Sequence, residues 1–251
     1  VELIAVGLDG ARGGWAAACL FADASTRTDA TVWRVELHRF DHVTEVDGLR
    51  AAHGPSATVA IDMPIGLLST VGFRACDLAA RDCLTGREST VFAPPARHLL
   101  GARDYAEVRA RIAAEREHDP RARGLSAQAA GLLKKVEEVD TWASAATGSE
   151  QWLFESHPET SFKALAGAVL TSKTSAAGTL RRLRLVETAF PGTTAALSDA
   201  ADPVAGRVAL TDLLDACAVL WTAVRCRAGT CTLLGDGARD EVTGLPMRIA
   251  V

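Results

Sequence analysis

Two aspartates stand at the ends of apolar strands and two more open an apolar helix, a placement that suits a hard divalent cation held by carboxylates and water. Asp9 follows the apolar run Leu3 to Leu8 within VELIAVGLDGARGGWAAACL, and Asp62 follows Thr58 to Ile61 within ATVAIDMPIGL. A charge at the end of a buried run is costly unless it finds a partner. Two matched runs are therefore expected to bring their carboxylates together at one edge of one sheet. The plainer alternative, an aspartate capping a turn beside glycine, serves a single acid better than a matched pair. Asp212-x-x-Asp215 adds a second pair, on neighbouring faces of a late helix. Leu213, Leu214, Cys217, Val219, Leu220, Trp221 and Val224 cover nearly the whole circumference of that helix, so its acids are expected to be buried and to need partners. The alternative is a first turn whose acids meet the helix dipole, with Asp212 as N-cap.

The turn His157-Pro158-Glu159, preceded by Glu155, is the next candidate. Either glutamate could line the same cleft, and a structural role is as well supported as a functional one. Arg74, Arg81, Arg97, Lys134, Lys135, Lys163, Lys173, Arg181 and Arg182 form no single basic run. Most are expected on solvated faces. Some could meet phosphates if the helical part of the chain roofs the acidic cleft, because an acidic centre repels phosphodiesters unless cations stand nearby.

The elements that must position these residues can be read in order. Gly10, Gly13 and Gly14 let the first strand reverse into a second from Trp15 to Leu20. Thr31 to Phe40 alternates as a third strand, His42 to His53 makes a short helix, and Gly54-Pro55 closes it before the Asp62 strand. This order predicts a mixed sheet. A helical insertion is expected over about 73–148, with helices at FRACDLAARDCL, Tyr105 to Glu117 and Gly124 to Ala145, and a turn at Pro94-Pro95. A further strand is expected at Gln151 to Glu155. Helices follow over Ser161 to Leu170 and Thr179 to Phe190, the latter with Arg181, Arg182 and Arg184 on its polar side. A loop is expected over 191–206, then the helix Asp212 to Arg227.

The 251 residues allow a sizeable core, and 48% hydrophobic with 23% charged residues is ordinary globular composition. A net charge of −4 excludes a strongly basic nucleic-acid binder, so any such role must rest on a local patch, and 5% aromatic residues gives base stacking little support. The six cysteines form no Cys-x-x-Cys and are expected as reduced core residues. No stretch approaches a membrane span and the first residues carry no basic-then-apolar signal, so the expectation is a soluble, cytoplasmic protein.

An acid on the first strand, an acid on the fourth and Asp-x-x-Asp on a late helix together resemble the ribonuclease H-like fold, with the Holliday-junction resolvase branch looking closest. More specifically, GLDGARGGW, VAIDMPIGL, Arg74-x-Cys-Asp77 with Ala80-Arg81, and VFAPPAR resemble the bacterial domain-of-unknown-function family 429 of predicted nucleases. So do Gly124-Leu-Ser126-x-Gln128, Lys135-x-x-Glu138-x-Asp140, His157-Pro-Glu159-x-Ser161-Phe162 and Asp212-x-x-Asp215-Ala216. The resemblance implies one α/β domain over 1–251, a ribonuclease H-like mixed five-stranded sheet flanked by helices, with the helical insertion after the fourth strand. It implies a hydrolase that cuts phosphodiester bonds of DNA or RNA with one or two Mg²⁺ or Mn²⁺ ions on Asp9, Asp62, Asp212 and Asp215. Glu159 would join the catalytic set, and Arg81, Lys135 and His157 would face substrate. The chain departs from the resolvases in carrying Asp62 where they carry Glu, and in its insertion. Two competing functions are an ATP-binding phosphotransferase of the actin and sugar-kinase group, with GLDGARGG around phosphates, and a non-catalytic binding protein on the same fold.

Overall fold

The computed structural model describes residues 1–23, 32–120, 122–200 and 208–251. In chain order the elements are β1 (Glu2–Ala11), β2 (Gly14–Asp23), β3 (Val32–Phe40), α1 (Glu45–His53), β4 (Thr58–Ile61), α2 (Ala75–Cys83), α3 (Tyr105–His118), α4 (Ala127–Gly131) and α5 (Leu133–Ala145). They continue with β5 (Leu153–Ser156), α6 (Pro158–Ala166), α7 (Ala176–Ala189), α8 (Thr193–Ala200), α9 (Leu210–Arg227), β6 (Leu233–Leu234) and β7 (Ile249–Ala250). The expected run of three strands, a helix and a strand is present. The expected start of the third strand at Thr31, and the segment 201–206 of the expected loop, lie outside the described residues.

Among the described residues, seven strands form one mixed sheet in the order β3-β2-β1-β4-β5-β7-β6, where five were expected. The two additional strands are two-residue pieces near the end of the sequence, too short to show any period. β1 pairs antiparallel with β2, and β2 with β3, while β4 runs parallel to both β1 and β5. The chain divides into two compact units. The first holds Val1–Asp62, Gln151–Thr232 and Ala250–Val251, and the second holds Met63–Glu150 and Leu233–Ile249. The helical insertion expected over about 73–148 falls within the second unit.

In the first unit, α9 packs on β1, β2 and β4. The sheet face beneath it is lined with small side chains, Ala5, Ala16, Ala18 and Ala60, all buried with Leu213, Ala216, Val219 and Leu220 of the helix. Gly7 makes the approach closest: a Cβ there would stand 2.2 Å from both the Ala216 carbonyl oxygen and the Leu220 nitrogen. Alternation puts Gly7 and Asp9 on one face of β1, so the helix that crosses at Gly7 also crosses beside Asp9. The apolar all-round pattern of α9 is explained by this burial.

Three expectations shift for physical reasons. α6 begins at Pro158, not Ser161, because a proline is favourable in the first turn, and it ends at Gly167 in the left-handed region (φ 73°). The segment expected as loop contains α8: Pro191-Gly192 ends one helix, and the alanines that follow start another, anchored by buried Thr193 and Leu197. Arg182, expected on the polar side of α7, is 0% exposed.

In the second unit a cluster of Val71, Leu99, Val108, Ile112, Leu125 and Leu133 forms the core beneath α3 to α5. Arg97 is its polar hub. The guanidinium bonds both oxygens of Asp140, at 2.9 and 2.7 Å, and both oxygens of Asp240. Asp240 in turn accepts from the Leu67 amide at 2.7 Å. Arg74 and Asp77, both buried, pair at 2.6 Å, and Arg74 also bonds the carbonyls of Ile65 and Gly66.

Candidate acidic site

Leu8 on β1 stands opposite Ile61 on β4, so Asp9 and Asp62 follow one another across adjacent parallel strands. The Asp62 amide continues the ladder onto the Leu8 carbonyl at 2.9 Å. Asp9 does not end its strand as expected: β1 runs on to Ala11, with Asp9 opposite Ala16, and the reversal comes at Gly13 (φ 70°). β4 stops at Ile61, so the hairpin overshoots it and leaves both carboxyl groups beside the gap. They share a hydrogen bond, Asp9 donating and Asp62 accepting.

The electrostatics follow from that closeness. Burial raises the Asp9 carboxyl well above the ordinary aspartate range, and the charges of Asp62, Asp215 and Asp212 raise it further. Burial also raises Asp62, opposed by His157 and Lys173. Asp9 is 7% exposed and Asp62 half-buried, so Asp62 is the member that solvent reaches. Asp215, 2% exposed on α9, is pushed by burial up to about 6 despite Lys173, whose ammonium donates to its Oδ2. Its Oδ1 is buried and has no hydrogen-bond partner. Asp212, half-buried in the first turn of α9, does not cap the helix; Ala209 stands at that position, with no side-chain bond.

Of the predicted site residues, Asp9, Asp62, Asp215, Asp212 and His157 therefore share one neighbourhood. Glu159 is also near, but both of its oxygens are taken by the guanidinium of Arg182, at 2.8 and 2.7 Å. Glu159 is thus ion-paired with a fully buried arginine. Glu155 stands opposite Ile61, and alternation turns it to the other face of the sheet from Asp62. Arg81 and Lys135 belong to the second unit, where Arg81 donates to the carbonyls of Glu88 and Val91, both at 2.7 Å, and lies over the Phe73 ring. Lys173, one of the scattered cations named from the sequence, is the one bonded to Asp215. It sits in a non-periodic loop between α6 and α7, where no pattern marks a cation as special.

Among the described residues, no group of three or more His, Cys, Asp or Glu side chains is arranged to hold a metal ion. The arrangement provides instead a two-carboxylate pair with a third carboxylate neutralised by an ammonium. Residues 7–239 match a family described as protein of unknown function (DUF429). The chain belongs to the DUF429 family. The match takes in Asp9, Asp62, Asp212 and Asp215 together with the Arg74–Asp77 and Arg97–Asp140 pairs, so it reaches into both units. No curated protein and no solved structure matches the chain. No helix among the described residues is long and apolar enough to cross a membrane.

Proposed function

We propose that this DUF429 protein is a Mg²⁺- or Mn²⁺-dependent hydrolase of phosphodiester bonds in nucleic acid, working on a ribonuclease H-like sheet. The observation that carries the reading is the hydrogen-bonded pair Asp9–Asp62 on adjacent parallel strands, with Asp215 brought beside it by the helix that crosses at Gly7. The donor set fits such an ion. Mg²⁺ keeps much of its water and takes one or two protein carboxylates, so a pair suffices where a closed cage is absent. The orphaned Asp215 Oδ1 supplies a further hard oxygen.

Asp9 and Asp62 would hold the ion, with Asp215 and Asp212 reinforcing the negative field around it. A bound divalent ion supplies Lewis-acid polarisation of a phosphoryl oxygen and neutralises charge in an in-line displacement. The protein does the rest. Without the ion, Asp9 orients Asp62 through their shared hydrogen bond; with it, both carboxylates would turn to the ion, with Asp62, the more exposed of the two, on the substrate side. His157, half-buried beside Asp62 at the start of α6, is placed to take a proton from the attacking water. Lys173 offsets the repulsion that the acids exert on a phosphodiester.

The phosphotransferase alternative needs the amides of GLDGARGG to face phosphates. Here Gly10 and Ala11 lie in the ladder opposite Trp15 and Gly14, and only Arg12 and Gly13 form the turn. The ladder thus favours the hydrolase. The test is incubation of the protein with end-labelled single- and double-stranded DNA and RNA, in Mn²⁺, Mg²⁺ or chelator. Cleavage of at least one substrate with metal, and a loss of roughly a hundredfold or more in Asp62→Asn, is expected. Intact substrates throughout, or equal cleavage by Asp62→Asn, would refute it.

A further inference from the structure

We infer that Lys173 is the resident cation of the acidic site, and that a divalent ion gains Asp215 as a ligand only by displacing it. The inference rests on the reading of Asp9 and Asp62 as divalent-cation ligands. Three observations lead there. The Lys173 ammonium bonds Asp215 Oδ2, and no other cation is paired with Asp215 among the described residues. The second oxygen, Oδ1, is buried and unpartnered, so the carboxylate is only half satisfied by the lysine. Buried carboxylate oxygens are rarely left in that state, because each lost bond costs desolvation with nothing in return.

The mounting of Lys173 suits an exchange. Its backbone is fixed: its carbonyl accepts from Thr179 Oγ1 at 2.7 Å, and the neighbouring Ser172 carbonyl accepts from Ser175 Oγ at 2.8 Å. A Cβ on Gly178 would stand 2.0 Å from that Ser172 oxygen, so loop and helix are pressed together. The tip is not fixed in the same way. The side chain is 41% exposed, and rotation about its own bonds takes the ammonium from Asp215 towards solvent or towards a phosphate arriving at Asp62. With Lys173 in place no three carboxylates among the described residues are arranged around one ion, and Asp215 is withheld from the ion until Lys173 leaves.

The test is Mn²⁺ binding by calorimetry to the full chain, with Mn²⁺-induced melting shifts as a second readout, for the native protein, Lys173→Met, Lys173→Gln and Lys173→Arg. Lys173→Met and Lys173→Gln are expected to bind Mn²⁺ about tenfold more tightly than native, and Lys173→Arg to stay near native. The glutamine keeps a hydrogen-bond donor for Asp215, so the measurement survives if the methionine variant does not fold. Affinity unchanged or weakened in the uncharged variants would overturn the role of Lys173 and leave the metal reading standing. No Mn²⁺ binding by any of the proteins would overturn both.

Discussion

A buried carboxylate answers to its partner. Asp9 and Asp62 share one hydrogen bond, Asp215 has Lys173 on one oxygen and nothing on the other, and Glu159 has Arg182 on both oxygens. These differences give the acids distinct environments although all lie in one neighbourhood. Asp215 also sets a pH dependence. Its folded value of about 6 lies above its ordinary 3.8, so its contribution to stability is full below about 3.8 and is lost as pH rises through about 6. Asparagine does not titrate. The metal-free native protein is therefore expected to lose stability relative to Asp215→Asn between about pH 4 and pH 6, as read by urea unfolding of both across that range. A constant difference, or one of opposite sign, would contradict the burial argument. The acids themselves were legible from type and position in the sequence. Arg182 was legible in principle too, because it stands four residues from both Gly178 and Val186 on the buried stripe of α7. The charge masked the spacing, and the partner that justifies burial lies 23 residues away. Lys173 carried no pattern at all.

At the level of elements, the site depends on how closely one helix can lie on the sheet. Alanines on β1, β2 and β4 lower that face, and Gly7 removes the last obstruction under Ala216 and Leu220. Gly7→Ala sets a methyl against helix backbone that cannot rotate away, unlike a side chain. It is expected to cost about 3 kcal/mol in urea unfolding and to weaken the coupling between Asp215 and Asp9 by lifting α9. A variant as stable as native would mean the crossing is looser than described. The strands, the all-round apolar helix and the mixed sheet could be read from period and punctuation. α8 could not, since Pro191 and Gly192 look like loop and only Leu197 shows an apolar anchor.

Taken whole, the molecule has two sets of charged residues, one in each compact unit. In the second unit the motif residues Arg74, Asp77, Arg81, Arg97 and Asp140 spend their hydrogen bonds on one another, on Asp240 and on backbone carbonyls. Such pairs fix loops of low periodicity, for which a bidentate guanidinium is better suited than an apolar contact. Motif matching in the sequence found these positions without telling scaffold from chemistry, because a guanidinium that holds a carboxylate and one that would hold a phosphate read alike. In the first unit, by contrast, Asp215 Oδ1 is left without a hydrogen-bond partner near the Asp9–Asp62 pair, which is where the proposed cation would act. The most direct measurement is anomalous diffraction from a crystal of the protein soaked in Mn²⁺. The account predicts a manganese peak within ligating distance of both the Asp9 and Asp62 carboxylates. Manganese bound elsewhere, with that pair still hydrogen-bonded to each other, would contradict it.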